Sequence, residues 1–411
     1  MRILLVNTSE RIGGAAVACN RLMFALKNNG IKTKMLVRDK QTDLHHVIQK
    51  KKGPLGMWKF VWERIVIWAN NLFSKRNLFK VSIANTGYDI TKFKEFQEAD
   101  IIHLHWVNQG MISLRNIQQI LKSGKPVVWT MHDMWECTGV CHHAYECDRY
   151  KTSCGHCMYL KSNSDDDLSH RIWKKKLEIF SAPNLHFVAV SNWLAGKCQE
   201  SSLLGSKNVA VIPNTIAVDE FTFDRRHDAD FEIPQDRKVM VMGAARLDDP
   251  VKGFPILLSA IKWMKTHKPQ IADKLHLVLF GDIRDASLLL EIDIPFTYLG
   301  RIPTDRVKKL FANADLVLSS SFYETLPGTL IEGMAAGCVP VTFGNGGQGD
   351  IVEHMRTGYI ARYKSHEDFA CGIEWAINAG ISRESLHNEM KKRFSPTSIV
   401  EKYLKFINKI Q

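Results

Sequence analysis

Short apolar runs recur along this chain with room for one helix between neighbouring runs, and that alternation is what most restricts the fold. Residues 2–7, 101–105, 127–131, 187–190 and 209–212 are mainly apolar and bounded by polar turns, residues 32–37 read as a further strand, and residues 15–28 fit the first intervening helix. Runs apolar throughout, rather than at every second position, belong to strands buried on both faces, as in a parallel sheet covered by helices. The pattern lapses over residues 213–237, where Asp, Arg and Pro collect. It restarts at 239–245, 275–280, 296–299, 316–319 and 339–343, with helices expected near 254–266, 304–312 and 329–336. Two consecutive doubly wound α/β domains are the simplest arrangement, with ligand expected in a cleft facing the C-terminal ends of the strands.

The length of 411 residues agrees with two or three domains. Hydrophobic residues at 45% and charged residues at 24% exclude a disordered chain. The apolar run at residues 3–6 is too short for a signal peptide, and no run reaches about 18 apolar residues. The chain is therefore expected to be cytoplasmic and soluble, with its nine Cys free, metal-bound or catalytic rather than disulfide-paired. A net charge of +12 invites nucleic acid, an anionic membrane surface or phosphorylated small molecules. Part of that charge is local. Lys50, Lys51, Lys52, Lys59, Arg64, Lys75, Arg76 and Lys80 face one acid, Glu63, in residues 50–80. Trp58, Val61, Trp62, Ile65, Trp68, Ala69, Leu72 and Phe73 follow helical spacing there, with Lys59, Glu63 and Asn70 elsewhere on the wheel. A basic helix edged with Trp suits a bilayer interface, and the same pattern suits a core helix with a solvated basic face.

Three turns carry residue types suited to a phosphate or a sugar. Gly13-Gly14 follows the first strand and opens a helix; glycines let a ligand approach the backbone and a helix N-terminus favours an anion, although the spacing is not the dinucleotide fingerprint and a ligand-free tight turn has the same look. After the strand at 239–245, Arg246 and Lys252 place a planar fork and a compact charge at the strand's mouth. They suit the oxygens of a diphosphate, or alternatively an ion pair with Asp248 or Asp249. Glu324 and Glu332 are separated by seven residues, the first in a loop and the second in the next helix. Such carboxylates accept hydrogen bonds from sugar and ribose hydroxyls, or else lie solvated at helix ends.

Gly13-Gly14, His132-Asp133, Ala245-Arg246 with Lys252-Gly253, and Glu324 to Glu332 followed by Gly333-Met334-Ala335-Ala336-Gly337 together resemble retaining glycosyltransferases of family 4. Tyr298-Leu299-Gly300, Ala314-Asp315-Leu316, Thr357-Gly358, Val188 to Ser191 and Ile212-Pro213-Asn214 extend the resemblance over nearly the whole chain. It implies an α/β GT-B fold, two Rossmann-like doubly wound domains facing a central cleft. Residues 1–215 would form an acceptor-side domain carrying the basic insertion at about 50–80 and a Cys-rich loop at 137–157. Residues 216–236 would be a linker, 237–395 the nucleotide-sugar-binding domain, and 396–411 a C-terminal helix packing back on the first domain. It further implies a nucleoside-diphosphate-sugar donor, with Arg246 and Lys252 on the diphosphate, Glu332 on the ribose and Glu324 on the transferred sugar. Gly13 and Gly14 would approach the donor phosphates, and His132 would stand beside the anomeric centre or the 6-hydroxyl. Transfer would retain configuration by front-face attack through an oxocarbenium-like state, the leaving phosphate taking the acceptor's proton, with no cofactor required. Three positions depart from the family pattern: Thr215, Pro327 and Asp350. Pro327 lacks an N–H that could reach the sugar.

The expected acceptor is a glycan or a polyprenyl-diphosphate-linked sugar of bacterial surface-polysaccharide synthesis, reached by peripheral contact with an anionic membrane at the inner face of the plasma membrane. Asp165-Asp166-Asp167 and Asp228-Ala229-Asp230 satisfy a D-x-D pattern but follow no apolar strand, so solvated acids rather than metal ligands are expected, with Arg246 and Lys252 in the cation's role. Cys141, Cys147, Cys154 and Cys157 could close a structural zinc site or remain reduced thiols in a loop, with Cys137, His142, His143 and His156 as spare ligands. The competing readings are a nucleotide-sugar epimerase or phosphorylase-like enzyme on the same scaffold and, in another class, a basic nucleic-acid-binding protein. No nucleic-acid module is recognisable, so nucleic acid is not the expected partner.

Overall fold

The computed structural model describes residues 1–49, 54–224, 231, 233, 234 and 236–411, with no side-chain description for residues 54–56. Lys50, Lys51 and Lys52 of the basic run, and Asp228 and Asp230 of the second D-x-D, lie outside the described residues. The chain divides into two units, Met1–Thr215 with Ile399–Gln411, and Ile216–Ser398.

The first unit holds β1 (Arg2–Ser9), β2 (Lys32–Asp39), β3 (Val47–Gln49), β4 (Ile101–Leu104), β5 (Val127–Met131), β6 (Leu185–Ala189) and β7 (Val209–Val211). They form one parallel sheet in the order β3-β2-β1-β4-β5-β6-β7. The residues of β4 and β5 are buried at every position, as continuously apolar strands require. Helix Gly14–Asn28 packs Cys19, Leu22, Met23 and Leu26 into the core. The C-terminal helix Pro396–Ile410 adds Ile399, Val400, Tyr403 and Ile407 to the same core.

The second unit holds β8 (Lys238–Arg246), β9 (Leu275–Asp282), β10 (Phe296–Tyr298), β11 (Leu316–Ser319), β12 (Val339–Phe343) and β13 (Tyr359–Ala361), parallel in the order β10-β9-β8-β11-β12-β13. Helices Phe254–His267, Thr304–Asn313, Gly328–Ala335 and His366–Asn378 belong to the same unit. The segment read as a linker contributes to this core, with Ile216, Val218, Phe221 and Phe231 all buried. The structure adds two three-residue edge strands, β3 and β13, to those expected.

Helix Pro54–Asn70 corrects one expectation. Lys59, Glu63 and Asn70 lie off the apolar stripe, where one of the two readings put a solvated basic face, yet Glu63 is buried and Arg64 nearly so. The Glu63 carboxylate accepts the Ile83 and Ala84 N–H groups at 2.8 and 3.0 Å and pairs with Arg64 at 3.1 Å. Arg64 in turn donates to Val81 O at 3.0 Å. These contacts turn part of the apolar stripe outward: Trp58 is 62% exposed and Trp62 53%, and Met57, Ile65, Leu72, Phe73 and Phe79 are exposed too. Among the described residues, no helix is long and apolar enough to cross a membrane.

Candidate functional site

The expected site residues fall into two groups, one in each unit, and each group gathers where parallel strands that neighbour one another in a sheet release their C-terminal turns.

In the second unit the strands are β8, β11 and β12. Arg246 ends β8 after an irregularity between Gly243 and Arg246, and its backbone pairs with Asp282 of β9. The following turn runs through Pro250–Lys252 to Gly253, whose φ of 62° lies in the left-handed region and whose absent Cβ would stand 2.1 Å from Ser320 O. That close approach pins the Lys252 turn to the β11 loop. Ser320 Oγ donates to Lys252 O at 2.9 Å and Phe322 N to Val251 O at 2.8 Å. The β12 loop joins through Gly347 N donating to Glu324 O at 2.8 Å and Gln348 Nε2 to Ser321 O at 3.1 Å. Arg246 and Lys252 are thus carried on the β8 loop and Glu324 on the β11 loop bonded to it, with the β12 loop bracing the latter, and Glu332 sits in helix Gly328–Ala335 that leaves the β11 loop.

Both cations already have anionic partners. Arg246 pairs with Asp249 at 3.0 Å and with Asp248 at 3.6 Å, the ion-pair alternative read from the sequence. Lys252 Nζ donates to Glu324, a pairing across 72 residues that the sequence reading missed, having given the two side chains separate tasks. All five side chains are part-buried or intermediate, with Lys252 26% and Glu324 21% exposed.

In the first unit the strands are β1, β4 and β5. Gly13 caps helix Gly14–Asn28 with φ 95°, and a Cβ at Gly13 or Gly14 would meet nothing within 4 Å, so this turn is open. Glu10, buried just ahead of it, accepts Gln41 N at 2.6 Å, Thr42 N at 2.9 Å and Thr42 Oγ1 at 2.5 Å. Burial alone would raise this carboxyl; the Thr42 hydroxyl, the two N–H groups and Arg11 hold it below its usual range. The β1 and β4 ends are tied by Trp106 N donating to Asn7 Oδ1 and Thr8 N to Trp106 O, both 2.9 Å.

His132 and Asp133 leave β5 beside them. His132 Nε2 lies 2.9 Å from His105 Nδ1, and burial lowers His132 to about 4, so its imidazole is neutral at pH 7. Burial would raise Asp133, but His142, at 2.7 Å, together with His143 and the Trp135 N–H, holds it at about 2. Asp133 also accepts Trp106 Nε1 at 2.9 Å. Ser82 Oγ lies 2.9 Å from His142 Nε2, completing the outline of a Ser-His-Asp triad. Ser82 is 1% exposed, which excludes it as a nucleophile on any substrate and leaves the chain as a brace for the 133–142 loop. His105 is the neighbour of His132 that sequence reasoning missed, while Asp133 was read only as part of a motif and His142 only as a spare metal ligand. The i, i+2 spacing of His103 and His105 at a strand's end was the available signal, since it places both rings on one face.

The remaining candidates separate plainly. Asp167 of the first D-x-D is buried rather than solvated, because its carboxylate caps helix Leu168–Phe180 by accepting Ser169 N and His170 N. Asp165 is exposed and pairs with His156 at 2.9 Å. Among the described residues no three or more His, Cys, Asp or Glu side chains are placed to hold a metal ion, and Cys141, Cys147, Cys154 and Cys157 are free cysteines, the reduced-thiol alternative of the two read from the sequence. They lie near one another as thiols. Burial pushes Cys157 up to about 12 and Cys154 up to about 11, and raises Cys141 further. Cys154 Sγ accepts Gly139 N at 3.2 Å instead.

Two doubly wound parallel-sheet units, each gathering expected site residues where neighbouring strands end, are the arrangement of the GT-B class of α/β enzymes. Residues 12–220 match the description Glycosyltransferase Family 4, and residues 224–393 match Glycosyl transferases group 1. The chain belongs to glycosyltransferase family 4, and it is a glycosyltransferase. An uncharacterized glycosyltransferase of Methanocaldococcus jannaschii is 25% identical over 353 residues, covering 80% of this chain and 87% of the relative. A putative colanic acid biosynthesis glycosyl transferase of Escherichia coli is 29% identical over 127 residues, 28% of this chain and 31% of the relative. Among solved structures, sucrose-phosphate synthase of Thermosynechococcus elongatus has a TM-score of 0.68 at 15% identity, covering 100% of this chain and 98% of that one. The Anabaena protein HepE in complex with UDP-glucose has a TM-score of 0.63 at 16% identity, covering both chains fully, and these likenesses show the fold.

Proposed function

We propose that the protein moves a sugar, with retention of configuration, from a nucleoside-diphosphate sugar onto a glycan or lipid-linked acceptor in polysaccharide synthesis, without a divalent cation. The observation that carries this reading is the trio of bonded loops that holds Arg246, Lys252 and Glu324 at the mouths of β8 and β11. Arg246 and Lys252 take the diphosphate, absorbing the charge that appears as the C1–O bond breaks. Glu324 accepts from hydroxyls of the transferred sugar and Glu332 from the ribose. Gly13 and Gly14 give the phosphates access to an open turn. His132, neutral at pH 7, bonds to the sugar as an uncharged ring and does not act as an acid. The acceptor oxygen bonds to C1 on the face the phosphate leaves, and its proton passes to the departing phosphate oxygen.

The UDP and UDP-glucose complexes of the HepE neighbour favour a UDP-linked donor, and the Escherichia coli relative's naming for colanic acid biosynthesis favours a polysaccharide pathway. The exposed Trp58 and Trp62 of helix Pro54–Asn70, with exposed Lys75, Arg76 and Lys80 following it in the chain, support peripheral contact with an anionic membrane at the inner face of the plasma membrane. Thermal unfolding with a panel of UDP- and GDP-sugars tests the central claim, because a ligand that binds only the folded form raises apparent stability. Stabilisation by one nucleotide sugar in the presence of chelator is the expected result. No stabilisation by any of them, or stabilisation that requires manganese, would refute the reading.

A further inference from the structure

His132 is only partly exposed, and the nitrogen at the tip of its ring, Nε2, is already engaged by His105 Nδ1 at 2.9 Å. His105 is 1% exposed, and its other nitrogen, Nε2, is buried with no hydrogen-bond partner among the described residues. A neutral imidazole has one N–H and one bare nitrogen, so only two arrangements satisfy the short contact. If His132 donated, the proton of His105 would have to sit on Nε2 as an N–H buried without an acceptor. If His105 donates from Nδ1, its buried Nε2 is a bare lone pair. Orphaned buried N–H groups are rarer than unsatisfied acceptors, which selects the second arrangement. That choice leaves His132 with its proton on Nδ1.

The ring that dictates this is itself held. His103 stacks on His105 at 4.4 Å between centroids; His103 Nε2 is 2.8 Å from Thr130 Oγ1, which lies 2.8 Å from the Tyr403 hydroxyl of the C-terminal helix. Burial keeps His103 and His105 neutral, so the doubly protonated state that would erase the distinction between tautomers does not arise at pH 7.

We propose that His105 is a positioning residue that donates its Nδ1–H to His132 Nε2 and thereby fixes His132 as the Nδ1–H tautomer, whose remaining N–H is offered to an oxygen of the bound donor sugar. The second half rests on the transfer reading given above; the first half does not. His132 consequently acts as a hydrogen-bond donor through Nδ1 and cannot take a proton there.

The test begins with the wild-type protein labelled with 15N in its histidine rings, at pH 7 and without ligand. The His132 resonances, identified by their loss in His132→Gln, are expected to show a protonated Nδ1 and a bare Nε2. A protonated Nε2 overturns the proposal, and this measurement needs neither substrate nor a His105 variant. The second arm measures turnover of UDP-glucose. His105→Leu removes the donor and is expected to lower kcat by about tenfold to a hundredfold, the range for orienting partners behind a working group, with KM changed less than about twofold. His105→Asn, whose side-chain NH₂ can replace the lost Nδ1–H, is expected to recover most of that loss. A merely structural role would give equal losses for both variants, and that result, like full turnover in His105→Leu, overturns the proposal. Unchanged turnover in His132→Gln alongside the expected ring spectrum overturns the assignment of the N–H to the sugar while the tautomer stands as measured. The failure of the donor-site reading is thereby distinguished from failure of the His105 assignment.

Discussion

Replacing Lys252 by Ala separates a binding role from a structural one, because the structure sets very different magnitudes for the two. Lys252 and Glu324 are each about a quarter exposed, so their ion pair is screened by solvent and is worth about 0.5–1 kcal/mol to folding. In a unit the size of Ile216–Ser398, a loss of 1 kcal/mol lowers Tm by about 2–4 °C. A cation aimed at charge that develops on the leaving diphosphate is worth more: loss of one such partner costs about 10²–10³ in kcat. Lys252→Ala is therefore expected to shift Tm by a few degrees, to weaken UDP binding by at least about tenfold, and to reduce turnover of the nucleotide sugar by two to three orders of magnitude. Calorimetric titration with UDP gives the first readout without any acceptor. Glu324→Gln supplies the opposite sign, since it removes an anion from beside the diphosphate and frees Lys252. UDP alone should bind that variant as tightly as wild type or more tightly, while UDP-glucose loses affinity. Wild-type UDP affinity in Lys252→Ala, or a stability loss above about 3 kcal/mol, would show that the pair is structural and the diphosphate is bound elsewhere.

Three further outcomes follow from the same geometry. Gly253→Ala forces a left-handed backbone on a side chain whose Cβ meets Ser320 O, so urea unfolding should show a loss of at least about 2 kcal/mol; a change under about 0.5 would mean the turn is free to move. Burial depresses His103 to about 3 and His132 to about 4, so between those values and about 6.5 the unfolded chain binds protons that the folded chain does not. Stability should fall as pH falls through that window, by up to about 1.4 kcal/mol per pH unit for each ring, and His103→Gln should flatten the decline in urea midpoints from pH 7 to 4. Trp58→Ser with Trp62→Ser removes two exposed rings, so flotation with anionic liposomes should drop while Tm stays within about 2 °C; undiminished flotation would exclude this helix face as the membrane contact.

The central strands were legible because each is apolar over most of its length, the signature of burial on two faces. Val47–Gln49 and Tyr359–Ala361 were not, since a three-residue edge strand buries too little side chain to leave a pattern. In helix Pro54–Asn70 the periodicity was correctly placed, but a stripe does not say which face meets the protein. Glu63 decided that by accepting two N–H groups of residues 83 and 84, a contact that local spacing does not encode. The same limit applies to the charged turns: Arg246 with Asp249 is three residues apart and was foreseen as an alternative, whereas Lys252 with Glu324 spans 72 residues and depends on β8 and β11 being neighbours.

That dependence bears on how a donor site can exist before its donor arrives. Two bare cations fixed six residues apart on one loop would repel each other and lose hydration without return. Here Arg246 and Lys252 face three carboxylates, those of Asp248, Asp249 and Glu324, so the loops are held in place by opposite charge. The three are not equivalent. Asp249 also accepts Val251 N at 3.1 Å in its own turn, and Asp248 accepts Asp285 N at 3.3 Å in the turn after β9, bonds that fix each carboxylate. Glu324 is held through Lys252. On the proposed reading it is therefore the carboxylate that a diphosphate displaces, and the sugar hydroxyls arriving with the diphosphate supply the donors that Glu324 gives up. A nucleotide without its sugar displaces Glu324 and offers nothing in exchange, which makes the Lys252–Glu324 pair a device that favours the intact donor over the spent nucleotide.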